Sequence, residues 1–577
     1  MTSIIVAERP RARRRRPTRG SQALFEAKAT VFRVRRSVAE IGRAPSRLPP
    51  SAEPTAFAWV VAHSVTPLWA DPNLSEAAMQ LGKVQNLRRA AAALDGVVLA
   101  PGQVFSFWRQ VGRATRGRGF VPGRMLREGC MMPAIGGGLC QLSNALYEVA
   151  LQAGCRIVER HAHSVRVPGS AAAEGRDATV AWNYVDLRFA SARELLLSVK
   201  LDRRDLTVNL RTTAPISPTP AAAEPVGLTQ LREPAESCDV CDETDCAFHR
   251  DIGRAASIVG RAAFVVDEFW PELADYVAET RRAVDMLCAP TLRRWSRDGF
   301  GDVFEAGWQG AMRSLGWRLT PPQGAARRSA DARSTEAIAK ALAMRLSPDV
   351  TEVTVAQSLL PHLWRDGALG GRTVRVLMTR LPIEVLQRRL NAAFAAHPDC
   401  STLSDYRAEA WQGAAEAEAL AAADEVVTPH AEIAALFADR ARLLEWRRPK
   451  PPITPPQRGD VFAFPGPTVA RKGAFEVREA ALRLGVRLRP VGAELEGAGF
   501  WAGVEIDHAA PGASWLDGVR AVVHPALAEA TPRRLLEALG AGMPVIATTA
   551  CGLTPRPGLT IVPMDDVDAL VAAMAAS

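Results

Sequence analysis

The chain has 577 residues, 48% hydrophobic and 23% charged, with nine cysteines. At roughly 150 residues per domain that is room for three to four domains, and the composition excludes a collagen-like, mainly disordered or disulfide-scaffolded protein. The net charge of +9 is local: residues 1–50 hold 13 Lys+Arg against 3 Glu, while the rest holds 58 Lys+Arg against 59 Asp+Glu.

The N-terminal stretch 1–55 reads as a basic, disordered tail. Arg11, Arg13, Arg14, Arg15, Arg16 and Arg19 form a polycation with Pro10 and Pro17. No apolar core of a secretory signal follows it, and no run approaches the ~18 apolar residues of a membrane helix. The chain therefore reads as cytoplasmic. The tail is either a solvated arm or a contact with the anionic inner face of a membrane, where each Lys or Arg gains ~1 kcal/mol. Nothing downstream resembles a base-reading module, so no specific nucleic-acid partner is expected.

Proline-rich stretches at 43–54, 215–225 and 447–456 cannot enter a sheet or helix interior and read as linkers. They divide the chain into the tail, a first domain at 56–213, a linker with a cysteine cluster at 214–250, a third block at 251–446 and a fourth at 457–577.

In the first domain, AIGGGLCQLSNALYEVALQAGC places Gly136, Gly137 and Gly138 just before Cys140. Leu142, Ala145, Leu146, Val149 and Ala150 then recur at helical spacing, and Gly154 stands where a helix C-cap belongs. Cys140 is thus expected at a helix N-terminus, where free N–H groups and the helix dipole favour a thiolate. RIVERHAHSVRV alternates like a strand, with His161 and His163 on one face. GRDATVAWNYVDLRF reads as a further strand opening with Arg176 and Asp177. Cysteine, histidine and aspartate in this order suit a nucleophile, a base and an orienting carboxylate. The plainer alternatives are a small buried thiol, polar strand residues and an Arg–Asp ion pair.

The motifs GQVFSFWRQVGRATRGRGFVPG, GGGLCQLSNALYEVALQAG, VERHAHSV and GRDATVAWNYVDLRF together resemble the VanW family over about residues 80–212. The resemblance implies an α+β domain and no defined activity.

CDVCDETDCAFH spaces Cys238, Cys241, Cys246 and His249 as C-x2-C-x4-C-x2-H. Three thiolates and an imidazole suit tetrahedral zinc, and with all four positions filled the ion is structural. An exposed redox-labile loop is the alternative.

The fourth block alternates strand and helix, which implies a doubly wound parallel sheet. HPALAEATPRRLLEALGAGMPVIAT separates Glu529 and Glu537 by seven residues, with Thr531 and Pro532 as a helix start between them. Two carboxylates facing one crevice can accept hydrogen bonds from sugar and ribose hydroxyls. This segment, with the turn GPTVARKG, resembles the donor half of retaining family 4 glycosyltransferases, whose GT-B architecture pairs two Rossmann-like domains. By that resemblance Gly466, Lys472 and Gly473 belong to the turn, Lys472 meets the donor diphosphate, Glu529 the sugar and Glu537 the ribose. His524 lines the same crevice. Pro467 stands where the family has an arginine, and no glycine-rich loop matches within 255–275.

The expected function is transfer of a sugar from a nucleotide-sugar to a glycan or lipid-linked precursor of the cell envelope, without a catalytic metal. One alternative is a Cys140-centred hydrolase or acyl transferase with a sugar-binding C-terminal half. Another is a scaffold without chemistry. The cysteine motif makes a separate prediction: purified protein contains one zinc per chain by elemental analysis, and Cys241→Ser with Cys246→Ser removes it.

Overall fold

The computed structural model describes residues 18–577 apart from 70–76, 128–129, 164–176, 218–219, 221–235, 238–259, 322–324, 399, 405–406, 451–453 and 510–513. The chain forms two compact units. The first is Met1–Gly260 with Ser347–Thr351 and Gly367–Arg372; the second is Arg261–Leu346, Glu352–Asp366 and Thr373–Ser577.

The basic tail is not disordered throughout: Arg19–Ala39 forms the helix α1. Composition hides the reasons. The Thr18 hydroxyl accepts the Ser21 N–H at 3.1 Å and the Ser21 hydroxyl accepts the Thr18 N–H at 2.9 Å, a reciprocal cap that satisfies two orphan donors. Arg36 then grips Glu159 with two guanidinium nitrogens at 2.9 and 2.6 Å. Glu40, just past the helix, accepts hydrogen bonds from Arg36 and Arg188.

The rest of the first unit is α+β. Strands β1 (Trp59–Pro67), β2 (Val97–Leu99), β3 (Val104–Ser106), β4 (Pro122–Arg127), β5 (Cys130–Ile135), β6 (Arg156–Glu159), β7 (Arg188–Ala190), β8 (Leu195–Leu201), β9 (Asp205–Thr212) and β10 (Glu236–Ser237) form three sheets. The orders are β1-β9-β8-β2, β10-β5-β4 and β3-β7-β6. Helices α2 (Ala77–Leu94), α3 (Phe107–Val111) and α4 (Leu139–Gln152) complete it. α4 ends as its sequence requires: Gly154 takes a left-handed φ of 69°, and the inward face carries Leu142, Leu146, Tyr147 and Val149, all fully buried. Each of the leucines and the valine contributes roughly 1.5–3 kcal/mol. The 214–250 segment is not wholly a linker, since β10 pairs in parallel with β5.

Three glycines let α2, β4 and the turn before α4 touch backbone to backbone. A Cβ on Gly82 would lie 1.9 Å from Pro122 O, one on Gly123 would lie 2.5 Å from Gly137 O, and one on Gly137 would lie 2.2 Å from Gly123 O. Asn86 on α2 closes the joint. Its amide donates to Val121 O at 3.0 Å and Gly137 O at 2.9 Å, and its carbonyl accepts the Val121 N–H at 2.9 Å.

The second unit holds two parallel, doubly wound sheets. In the first, β11 (Arg261–Val265), β12 (Met286–Ala289), β13 (Asp302–Glu305), β14 (Val350–Ala356), β15 (Thr373–Leu377), β16 (Glu425–Thr428) and β17 (Ala441–Leu443) run in the order β13-β12-β11-β14-β15-β16-β17. In the second, β18 (Arg458–Phe464), β19 (Leu488–Pro490), β20 (Val519–His524), β21 (Val545–Ala547) and β22 (Leu559–Ile561) run in the order β19-β18-β20-β21-β22. Both orders reverse beside their first strand, at β11/β14 and at β18/β20, and ligands of such sheets bind at that switch point.

The two Rossmann-like halves meet inside this unit. Glu272, buried in the first turn of the helix Pro271–Thr280, takes both arms of Arg533 at 2.6 Å each. The Arg533 guanidinium lies over the rings of Trp270 and Trp446. His430 of the first half packs where a Cβ on Gly552 of the second would stand, at 2.3 Å.

Asn86→Ala leaves the Val121 N–H and the Gly137 carbonyl of the glycine joint without partners, while Val121 O keeps the Gly136 N–H at 3.2 Å. The expected loss is roughly 1–3 kcal/mol of unfolding free energy, read as a lower denaturant midpoint with an unchanged slope.

Candidate functional site

Two groups of the sequence-predicted residues come together, one in each unit. In the first, α4 begins after Gly138, whose φ of 95° is left-handed and which leaves the helix without a side-chain cap. Cys140 therefore stands in the first turn, where the backbone N–H groups have no partner inside the helix. Its Sγ lies 3.5 Å from Thr179 Oγ1. Asp177, fully buried, holds His163 twice: Oδ2 accepts the His163 backbone N–H and Oδ1 faces Nδ1, each at 2.6 Å. Nδ1 being taken, Nε2 is the ring nitrogen left for the thiol, and the His163 ring is hydrogen-bonded to Cys140.

The electrostatics follow from this geometry. Burial acts to raise the Cys140 thiol, but the hydrogen bond and charge of His163 outweigh it, with help from Thr179 and the Val180 backbone, and the net shift is downward. Burial acts to lower His163, but Asp177 and then Cys140 overcome it and push it up to about 10. Each group thus favours the charged form of the other, the thiol shifted down and the imidazole up.

The route to this arrangement differs from the expected strands. β6 stops at Glu159, so His161 and His163 do not share a strand face. His161 is half exposed and turns to Glu159 at 3.3 Å. The expected strand over GRDATVAWNYVDLRF is confined to Arg188–Ala190. Asp177 is held instead by α4. The Asn144 carbonyl accepts the Ala178 N–H at 2.8 Å, and the Ser143 hydroxyl donates to Ala178 O at 2.5 Å. Arg160 Nε donates to Asp177 O at 2.7 Å. Sequence reasoning missed Ser143 and Asn144. Their signal was two polar residues three and four positions after Cys140, on the cysteine's own face of the helix. Arg176 lies outside the described residues. Of the other cysteines, Cys155 is buried and pushed up to about 12.

The second group lies at the β18/β20 switch point. Gly466 follows β18, and a Cβ there would lie 2.8 Å from His524 Cε1 at the end of β20. Gly473, with φ of 83°, precedes the helix Ala474–Leu484, and a Cβ there would meet Pro525 O at 2.4 Å. Lys472 Nζ donates to Glu529 Oε2 at 2.8 Å and to Ala528 O at 3.1 Å. Glu529 Oε2 is also 2.9 Å from His524 Nε2, and Oε1 accepts the Thr531 N–H at 2.9 Å. Burial acts to raise Glu529, but His524 and Lys472 together hold it far below the usual carboxylate range. Burial lowers His524 and keeps it neutral, so Nε2–H donates to Glu529. His524 Nδ1 is buried without a hydrogen-bond partner.

Glu537 stands apart from this cluster in its contacts. It is exposed on the helix Arg533–Gly540, and its Oε1 accepts the Trp515 indole N–H at 3.2 Å. At the other switch point, the glycine-free loop after β11 is filled by buried Asp267, which meets Arg313 at 2.6 Å and the Ser358 hydroxyl at 2.9 Å. Cys238, Cys241, Cys246 and His249 lie outside the described residues. Among the described residues no group of three or more His, Cys, Asp or Glu is placed to hold a metal ion.

Comparison with known proteins finds a family match within each unit. Residues 82–211 match the family described as VanW like protein, and residues 486–576 match the family described as glycosyl transferases group 1. The chain thus carries a VanW domain followed by a GT-B glycosyltransferase-like region. Over 112 residues it is 38% identical to the vancomycin B-type resistance protein VanW of Enterococcus faecalis (strain ATCC 700802 / V583), a stretch covering 19% of this chain and 41% of that protein. Over 104 residues it is 38% identical to YoaR of Bacillus subtilis (strain 168), covering 18% of this chain and 34% of that one. The chain therefore spans less than half the length of either relative. Among solved structures, sucrose-phosphate synthase from Thermosynechococcus elongatus aligns with a TM-score of 0.35 at 15% identity, over 55% of this chain and 88% of that one. The lipopolysaccharide outer core galactosyltransferase WaaB aligns with a TM-score of 0.31 at 13% identity, over 54% and 88%.

Proposed function

We propose that the GT-B region transfers a sugar from a nucleotide-sugar to a glycan or lipid-linked acceptor of the cell envelope, with retention and without a catalytic metal. The observation that carries this reading is the cluster of Lys472, Glu529 and His524 at the switch point of the second sheet. A donor diphosphate competes with Glu529 for Lys472 Nζ. Once the ammonium turns to the phosphates, Glu529 keeps the His524 and Thr531 N–H groups and gains a free lone pair for a sugar hydroxyl. The unpartnered His524 Nδ1 accepts a second hydroxyl. As the glycosidic bond to phosphate breaks, charge on the leaving diphosphate meets Lys472 and the N-terminal end of the helix Ala474–Leu484. Glu537 is assigned to the ribose.

A membrane-facing acceptor is supported by α1. Its exposed side combines Leu24, Val31, Val34 and Val38 with Lys28 and Arg35, and the arginine-rich segment precedes it. Such a helix lies in an anionic interface with its apolar residues inserted and its basic heads at the phosphates.

Calorimetric titration of the full chain with UDP-, GDP- and ADP-sugars tests the transferase reading. Micromolar binding of one donor, lost in Lys472→Ala and weakened in Glu537→Ala, is the expected result; no binding of any donor refutes it. Flotation with vesicles tests the membrane reading. Protein is expected with phosphatidylglycerol and not with phosphatidylcholine vesicles, and Val31→Asp with Val34→Asp abolishes recovery.

A further inference from the structure

The sugar-transfer reading leaves the thiol site of the VanW domain without a task. We propose that Cys140, His163 and Asp177 form a second catalytic centre that hydrolyses an amide or ester through a thioester on Cys140. Three features separate this site from a buried structural cysteine. Cys140 is less enclosed than the described Cys155, Cys288, Cys400 and Cys551, which are buried, and it sits on the N-terminal turn of α4. His163 keeps about a quarter of its side chain open to solvent, so water reaches the imidazole. Asp177 spends both oxygens on His163, one on the backbone and one on the ring. That double hold fixes the ring's position and leaves Nε2 toward sulfur, the arrangement a nucleophile and its base require.

The chemistry balances with groups on the page. The Cys140 thiolate attacks the carbonyl carbon and forms the C–S bond. Negative charge on the carbonyl oxygen meets the Leu139 and Cys140 N–H groups at the start of α4. The His163 imidazolium gives its proton to the departing amine or alkoxide as the C–N or C–O bond breaks, and a thioester remains. Water then attacks that thioester while neutral His163 takes its proton. The C–S bond breaks, the acid is released, and the thiolate–imidazolium pair is restored. Asp177 does not touch the substrate; it is a positioning residue that holds the tautomer and stabilises the imidazolium. Thr179, with its hydroxyl 3.5 Å from sulfur, adds a hydrogen bond to the thiolate.

The experiment uses the full chain and two readouts. Iodoacetamide alkylation, located to Cys140 by peptide mass spectrometry, is followed against pH. The rate is expected to hold well below the ordinary thiol range near pH 8.5. Asp177→Asn and His163→Gln are expected to move the profile upward, slowing alkylation at pH 6 about tenfold or more. p-Nitrophenyl acetate gives the second readout: a burst of nitrophenol with an acetyl group on Cys140, absent in Cys140→Ser. A wild-type profile with an ordinary thiol midpoint overturns the proposal and needs no variant. So does acetylation confined to other residues. Nucleotide-sugar binding is unchanged in Cys140→Ser, so the two readings fail independently.

Discussion

The first unit depends on a place where no side chain fits. At Gly123 and Gly137 two backbone segments press together so closely that either Cβ would overlap a carbonyl oxygen, and Gly82 repeats the constraint one layer away. The turn that launches α4 therefore cannot drift from β4 and α2. Helix capping normally fixes where a helix begins; here Gly138 caps nothing with a side chain, and the interlock does that work. The first turn of α4, and Cys140 in it, inherits a fixed position.

From that anchor the site is assembled by α4 itself. Ser143 and Asn144 reach from the helix to the Asp177–Ala178 backbone, Asp177 holds His163, and His163 returns to Cys140. The loop of contacts closes on the residue where it began. The second unit solves a similar problem with a different device. Its parallel sheet leaves a crevice where strand order reverses, and glycines at 466 and 473 let the turn settle against His524 and Pro525. One site is made by helix-to-loop hydrogen bonds, the other by topology.

The sequence made some of this legible and hid the rest. The α4 helix, its glycine turn and the alternation of strands and helices after residue 457 are local patterns, and local patterns survive folding. The sequence favours His163 over His161, but the route to the thiol was hidden, because the strand they were expected to share stops at Glu159. A backbone that leaves the strand no longer alternates its side chains by twos. Asp177 comes from an irregular segment whose position is set by partners 33 and 34 residues earlier in the chain, and no periodicity encodes that. The α1 helix was masked by arginines that read as a solvated tail, although Arg36 is paired with a glutamate 123 residues away.

The contact between Glu272 and Arg533 carries a consequence for motion. Glu272 is almost fully enclosed, and its guanidinium partner lies over Trp270 and Trp446. Partial separation would strand a carboxylate in a poor solvent before water could replace the arginine, and that intermediate is the costliest point on the path. The Arg447 N–H at 2.7 Å would remain as the carboxylate's partner, so parting the two halves of the second unit at this contact carries an electrostatic cost, like opening a clasp.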